Sequence, residues 1–285
     1  HFTICFRIKP SFEAITITDS PSPSGWQAYL QGVDVVVHLA ARTHVIGDSG
    51  GDHLEAYQTA NVELTQSLVE SCKQSDVKRM LYISSIKVVG ESKEFPYDED
   101  TLCQPRDAYA ITKLNAEQAV AEACQNSRLE TVILRPPLVY GPGVRANFLR
   151  LLRAVERGIP VPVSTSPNAR SMIYVGNLVD AMELALQHPR AANEVFFVAD
   201  NEVLSTQELV QRLGRLLHRP ARTFPIPPAI LRTVTGIIGR RDDLDRLVGS
   251  VVATTAKVTA YLGWSPPYSA DQGLAQTVAW YRQTQ

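Results

Sequence analysis

The sequence predicts an α/β fold, a doubly wound parallel sheet covered by helices on both faces. Three observations carry that prediction. Residues 33–41 and 80–84 are nearly continuous apolar runs, the pattern of strands buried on both sides. Residues 54–73 and 109–123 read as helices, the first with apolar positions at Leu64, Leu68, Val69 and Cys72. Asp19, Ala40-Ala41, Ser84-Ser85 and Arg135-Pro136 then all fall where predicted strands end. Ligands of open parallel sheets gather at the carboxyl ends of the strands.

The elements follow in order. Residues 2–8 form a short apolar run and 12–18 alternate, so both read as strands, the second closing at Asp19. Residues 20–24 hold two prolines and make a loop, and 26–31 make a short helix ended by Gly32. The strand at 33–41 gives way to a polar, glycine-bearing loop at 42–52. Helix 54–73, strand 80–84, a long polar loop at 91–106, helix 109–123 and strand 131–134 complete the first half. Strand–helix alternation at this spacing implies right-handed crossovers and parallel strands. Beyond Pro142 the texture changes. An amphipathic helix at 147–157 is ended by Gly158 and Pro160, and a polar loop covers 164–170. A helix at 175–187, a strand at 195–199 and a helix at 206–217 follow, the last opened by Ser205 and Glu208 in a capping-box pattern. A Leu-Gly-Trp-Ser-Pro-Pro-Tyr segment ending at Tyr268 leads into a last helix reaching Tyr281. No repeat or low-complexity segment interrupts the chain.

The 285 residues are 45% apolar and 20% charged, enough for one large domain or two closely associated ones. A net charge of -1 gives no reason to expect nucleic acid or an anionic membrane as partner. Cys5, Cys72, Cys103 and Cys124 are irregularly spaced, so neither a zinc site nor a disulfide framework is expected, and a reducing cytoplasm is. No secretory leader is expected. The apolar stretch at 226–239, broken by prolines and Arg232, is too short for a membrane span; it reads as a packed loop and helix, with an amphipathic contact to a membrane or partner as the alternative.

The chemistry centres on Tyr109 and Lys113. At i and i+4 they share one helix face, a single turn apart. A phenol titrates near about 10, and a neighbouring cation draws that value down. A hydroxyl from Ser85 can orient a substrate oxygen against the same phenol. Such a set suits proton transfer at an alcohol or ketone, the companion of hydride transfer to a nicotinamide. Other polar residues read more plainly. His38 lies inside an apolar strand as a core histidine, and His44 belongs to a loop where substrate contact and simple solvation are equally open. Arg7 and Lys9 suit either a 2′-phosphate or a surface charge pair. The acidic run 98–100 and the mixed run 240–243 read as solvated loops.

Several stretches resemble the extended short-chain dehydrogenases/reductases. They are His38-Leu-Ala-Ala41, Asn61-Val-x-x-Thr65, Tyr82-Ile-Ser-Ser85 with Val88 and Gly90, Tyr109-x-x-x-Lys113, Arg135-Pro-x-x-Val-Tyr-Gly-Pro142, Arg170 with Ile173-x-Val-x-Asn177, and Leu262-Gly-Trp-x-Pro266. Within that family they are most similar to the NAD-dependent epimerase/dehydratase group, of the UDP-glucose 4-epimerase kind. The resemblance implies a Rossmann-type sheet with a smaller C-terminal substrate domain. Residues 1–140 and about 171–199 would bind the dinucleotide, and 141–170 with 200–285 the nucleotide sugar. It implies that Tyr109 is the general acid/base, that Lys113 binds the nicotinamide ribose and lowers the phenol's pKa, and that Ser85 is the catalytic hydroxyl. Asp19, Ala40, Ala41, Asn61 and Pro136 would line NAD or NADP. Ser85, Asn147, Arg170 and, less securely aligned, Arg246 would meet the substrate, a guanidinium suiting a diphosphate. A homodimer built on helices 54–73 and 109–123 is implied as well.

Three departures qualify the resemblance. The family's first strand and its Gly-x-x-Gly-x-x-Gly loop are missing from a sequence that begins at His1, which implies either a fragment or a truncated binder of nucleotide sugar without catalysis. Val89 stands where relatives often carry Tyr. Ile86 and Lys87 stand where the dehydratase branch has an Asp-Glu pair, which disfavours dehydration. The expected activity is C4 epimerisation of a UDP-hexose or UDP-N-acetylhexosamine through a 4-keto intermediate, in surface-polysaccharide synthesis. Reduction of a UDP-4-keto sugar is the close alternative. A steroid or flavonoid ketone is disfavoured by Asn147 and Arg170.

Overall fold

In the computed structural model, which describes residues 4–7, 13–16, 25–43, 53–90, 96–125, 127–165, 168–227 and 250–284, the first two strands depart from the expected parallel order. β1 (Ile4–Arg7) and β2 (Glu13–Thr16) form an antiparallel hairpin with Ile4 opposite Thr16. The link between them is far shorter than the dozen or so residues of a parallel crossover, so the chain must turn straight back. After the short helix α1 (Trp26–Leu30), β3 (Val35–His38) also pairs antiparallel with β1.

From β3 onward the sheet is parallel, as its buried apolar runs require. α2 (His53–Tyr57) passes through a π-helical turn, Gln58–Glu63, into α3 (Leu64–Lys73). The single helix expected at 54–73 therefore carries a wider turn in its middle. β4 (Arg79–Ile83), α4 (Ala108–Ala123) and β5 (Glu130–Arg135) follow. The large sheet has the order β2-β1-β3-β4-β5-β9, where β9 is Glu194–Phe197. Met80 and Tyr82 face Trp26, Leu68, Ala116 and Val120 on one side, and Leu81 faces Val132, Phe196, Leu178 and Trp264 on the other. Alternate residues of one strand thus feed two cores.

The remaining strands form two small sheets. β6 (Leu138–Tyr140), β8 (Arg170–Tyr174) and β10 (Val203–Leu204) lie in the order β10-β8-β6. β7 (Val161–Ser164) pairs parallel with β11 (Thr223–Ile226). Between these strands run α5 (Ala146–Glu156), α6 (Val175–Gln187) and α7 (Thr206–Leu217), and after them α8 (Ala256–Leu262) and α9 (Ala270–Gln283). Phe148, Leu152, Leu213, Leu274 and Tyr281 build a separate core there. The predicted Ser205–Glu208 capping box is present at the start of α7. No helix among the described residues is long and apolar enough to cross a membrane.

Two buried polar side chains stitch the regions together. Arg79 pairs with Glu130 at 2.5 Å and donates to the carbonyls of Ala185, Leu186 and His188 at 2.9, 2.9 and 3.0 Å, closing the end of α6. Asp200, just past β9, accepts from Tyr140 Oη and Asn177 Nδ2 at 2.7 Å and from Tyr174 N at 3.0 Å.

Candidate active site

The carboxyl ends of β3, β4 and β5 bring together most of the residues singled out in the sequence. Past β3, Ala40 is buried and Ala41 half-buried. Asn61, inside the π-helical turn, clamps this loop: Oδ1 accepts from Arg42 N at 2.7 Å, and Nδ2 donates to Arg42 O at 3.2 Å and Thr112 Oγ1 at 3.1 Å. A single amide thereby holds the loop after β3 against α4, one residue before Lys113. π-turns inside helices recur at functional sites.

The turn after β4 is held from both sides. Ser84 N donates to Leu134 O at 2.8 Å and Ile86 N to Pro136 O at 2.9 Å, so the buried Pro136 fixes the turn that carries Ser85. Ser85 caps the 3₁₀ turn Ile86–Val89, its Oγ accepting from Lys87 N at 3.3 Å. Gly90 closes the turn at φ +84°, where a Cβ would lie 2.3 Å from the Gln104 carbonyl oxygen. Only glycine meets both conditions.

On α4, Asp107 Oδ1 accepts from Ala110 N at 2.7 Å, which caps the helix and places Tyr109 in its first turn. The Ser85 hydroxyl hydrogen-bonds the Tyr109 phenol. Lys113, 2% exposed, donates to Ile83 O at 2.6 Å and lies 4.0 Å from the centre of the Tyr82 ring. Serine, tyrosine and lysine thus converge on one strand end.

Their electrostatics differ from the sequence expectation in one respect. The Tyr109 phenol is pushed up to about 12, chiefly by burial; the Ser85 hydrogen bond opposes the rise, and Asp107 and Tyr57 add to it. The expected lowering by Lys113 is therefore corrected: burial sets the direction, and the ammonium is turned to the Ile83 carbonyl and the Tyr82 ring. Burial also brings Lys113 down to about 7, against the upward pull of Glu117. His38 is the core histidine expected, held to Thr65 Oγ1 at 2.8 Å and brought down to about 3 by burial and then by Lys113. At neutral pH the phenol is a proton donor, with a lysine close to its own titration point beside it on the same helix face.

The site suits a dinucleotide. The buried Ser84 hydroxyl has no hydrogen-bond partner among the described residues, so a donor–acceptor group stands ready for a polar ligand. The small side chains of Ala40 and Ala41 leave the strand end open to close approach, and Lys113 supplies an amine. No cluster of metal-ligating side chains occurs among the described residues.

Two substrate candidates lie on the second core's elements. Asn147 is in the first turn of α5, where its Oδ1 accepts from Arg150 Nη2. Arg170 opens β8, half-buried, opposite Leu204. Asp19 and Arg246 lie outside the described residues. Sequence reasoning overlooked Glu117, whose carboxylate takes Arg135 at 2.7, 3.0 and 3.3 Å beneath Lys113. Its position four residues after Lys113 was the available signal.

Comparison with known proteins identifies the family. A sequence model described as the NAD dependent epimerase/dehydratase family matches residues 5–199. A UDP-glucose 4-epimerase of Vibrio cholerae is 37% identical over 264 residues, spanning 92% of this chain and 80% of the relative. An N-acetyl-alpha-D-glucosaminyl-diphospho-ditrans,octacis-undecaprenol 4-epimerase of Escherichia coli O157:H7 is 29% identical over 262 residues, 87% of this chain and 78% of the relative. A solved UDP-glucuronic acid 4-epimerase of Bacillus cereus in complex with NAD superposes with a TM-score of 0.77 at 25% identity, covering 93% of this chain and 79% of that one.

Proposed function

Because the chain belongs to the NAD-dependent epimerase/dehydratase family, a family of NAD-using enzymes, we propose that it inverts C4 of a UDP-hexose or UDP-N-acetylhexosamine through a 4-keto intermediate. The observation that carries this reading is the Ser85–Tyr109 hydroxyl pair with Lys113 buried one turn further on. The 4-epimerase relatives support C4 as the reacting carbon.

Lys113, Asn61, Ala40, Ala41 and Pro136 hold the cofactor in this reading, with Asp19 at its adenine end. When bound, NAD would supply reversible hydride transfer at C4. Tyr109 Oη, as the phenolate, takes the C4 hydroxyl proton on oxidation and, as the phenol so formed, gives it back on reduction. Ser85 Oγ donates to the same sugar oxygen and keeps it against the phenol. Lys113, charged, stabilises the phenolate that proton transfer transiently requires. Asn147, Arg170 and Arg246 hold the diphosphate, so residues 141–170 and 200–285 serve the sugar nucleotide while 1–140 and 171–199 serve the cofactor. Position 87 is a lysine bonded to Asp107 and not a free acid, so protonation of a leaving hydroxyl has no donor there. The protein works as a homodimer through helices 54–73 and 109–123, in the cytoplasm, supplying sugars for surface polysaccharide.

The test is a UDP-hexose incubated with the full-length protein and substoichiometric NAD, followed by NMR of the C4 configuration. Inversion without net cofactor turnover is expected, and Tyr109→Phe is expected to lower kcat by about 10²- to 10⁴-fold. Stoichiometric consumption of NADH by a 4-keto sugar, with no inversion, would instead make it a reductase. Undiminished inversion by Tyr109→Phe would remove the proposed chemistry.

A further inference from the structure

The two hydroxyls of the site ride on separate elements, Ser85 on the turn after β4 and Tyr109 on α4. Beside the Ser85–Tyr109 hydroxyl contact, a side-chain ion pair ties those elements together. Lys87 Nζ, from within the Ser85 turn, bonds Asp107 Oδ2, while Asp107 Oδ1 caps α4 through Ala110 N at 2.7 Å. Both partners are partly shielded, with side chains 26% and 33% exposed. The backbone N–H of the same lysine donates to Ser85 Oγ. Asp107 stands two residues before Tyr109, so its negative charge opposes ionisation of the phenol, and the Lys87 ammonium offsets that charge. We propose that the Lys87–Asp107 ion pair is a positioning device for the reaction: it docks the Ser85 turn on the N-terminus of α4 and screens Tyr109 from the carboxylate that caps its own helix. The proposal rests on the reading that Tyr109 exchanges a proton with the sugar.

The groups facing the phenol make the effect readable. Among the described residues they include Ser85 from the turn, Asp107 at the cap, Tyr57 from α2 and Tyr82 from β4, with Lys113 one turn further along α4. Lys87→Met removes the compensating charge but keeps the stem. Asp107→Asn removes the opposing charge and keeps an oxygen to cap α4. The two changes therefore push the phenol in opposite directions. A pair that merely stabilised the fold would move neither.

The experiment is the pH dependence of kcat for C4 inversion by the full-length protein, with melting curves as a fold control. Lys87→Met is expected to move the rising limb to higher pH and to lower kcat about 10-fold near neutrality, an effect typical of lost positioning. Asp107→Asn is expected to move the limb to lower pH, and Lys87→Arg to restore it. The double variant is expected to return the limb toward the parent while kcat stays low, because the docking contact is gone. Limbs that stay in place in both single variants, or that move in the same direction, overturn the proposal. If Lys87→Met melts far below the parent, Asp107→Asn, expected to move the limb to lower pH, and Lys87→Arg, expected to leave it where the parent has it, decide it: an Asp107→Asn limb that stays in place overturns the proposal. Failure here is separable from failure of the proposed activity, which Tyr109→Phe tests independently.

Discussion

Replacing Glu117 with Gln isolates the charge beneath the active-site lysine. The Glu117 and Arg135 side chains are 5% and 8% exposed and meet through three contacts of 2.7 to 3.3 Å. Lys113, also buried, lies one turn away on the same face of α4. Gln keeps a hydrogen-bond acceptor for Arg135 but removes the carboxylate that favours the charged form of both Arg135 and Lys113. Breaking one partner of a buried pair costs about 3–5 kcal/mol, and Gln is expected near the lower figure. The pH dependence sharpens the test. The folded Lys113 titrates at about 7, well below an unfolded lysine, so between those two values the unfolded chain binds more protons and stability climbs with pH. Below pH about 7 this contribution is flat. Glu117 raises the lysine, so without it the folded value falls further and the climb begins at lower pH. Urea midpoints measured across this range, at unchanged slope, give both quantities. A loss under about 1 kcal/mol, or a climb starting where the parent's does, would refute the role assigned to the buried carboxylate. The pair Glu117→Leu with Arg135→Met supplies a control, expected to regain most of the loss because apolar replacement of both ions is close to neutral.

Two further changes probe the scaffold around the site. Gly90→Ala meets both the positive φ and the 2.3 Å approach to Gln104 O, and is expected to cost about 1–3 kcal/mol while displacing Ser85 enough to depress kcat more than KM; equal activity in steady-state kinetics would count against the turn as the site's support. Asp200→Ala takes the acceptor from Tyr174 N and one of two acceptors from Tyr140 Oη and Asn177 Nδ2, which keep Ala270 O and Tyr268 O; at about 1–3 kcal/mol for a buried donor left unpaired, a clear fall in the denaturation midpoint is expected, against only a small one if water replaces the carboxylate.

The sheet was legible in the sequence because its strands are buried on both faces. Val35–His38 and Arg79–Ile83 are unbroken by polar residues except where a partner exists, as for Arg79 with Glu130. Helix ends were legible where the caps are local, as at Ser205 and Glu208. The hairpin of β1 and β2 was not, because apolar runs report strands without reporting direction; only the short link between them excludes a parallel crossover. The π-turn at Gln58–Glu63 was hidden for a related reason. The apolar positions that mark the helix, Leu64, Leu68 and Cys72, all lie beyond it.

For the site, spacing predicts which side chains share a face but not where a long side chain ends. Tyr109 and Lys113 are one turn apart as the sequence requires, yet the ammonium reaches across to the β4 carbonyl of Ile83 at 2.6 Å and the face of Tyr82. Those partners belong to another element and leave no periodic trace in the helix. The sign of the phenol's shift follows from the same fact. Helix geometry alone offers a neighbouring cation and predicts a lowered pKa; the fold adds burial, which raises it to about 12, and Asp107, which adds to the rise. A phenol so held ionises little by itself near neutral pH. In the proposed reaction its ionisation is assisted by Lys113 from its own helix and by Lys87 acting through Asp107. The reactivity of the tyrosine is therefore a property of the junction between the β4 turn and α4, and not of the four-residue motif that first marks it.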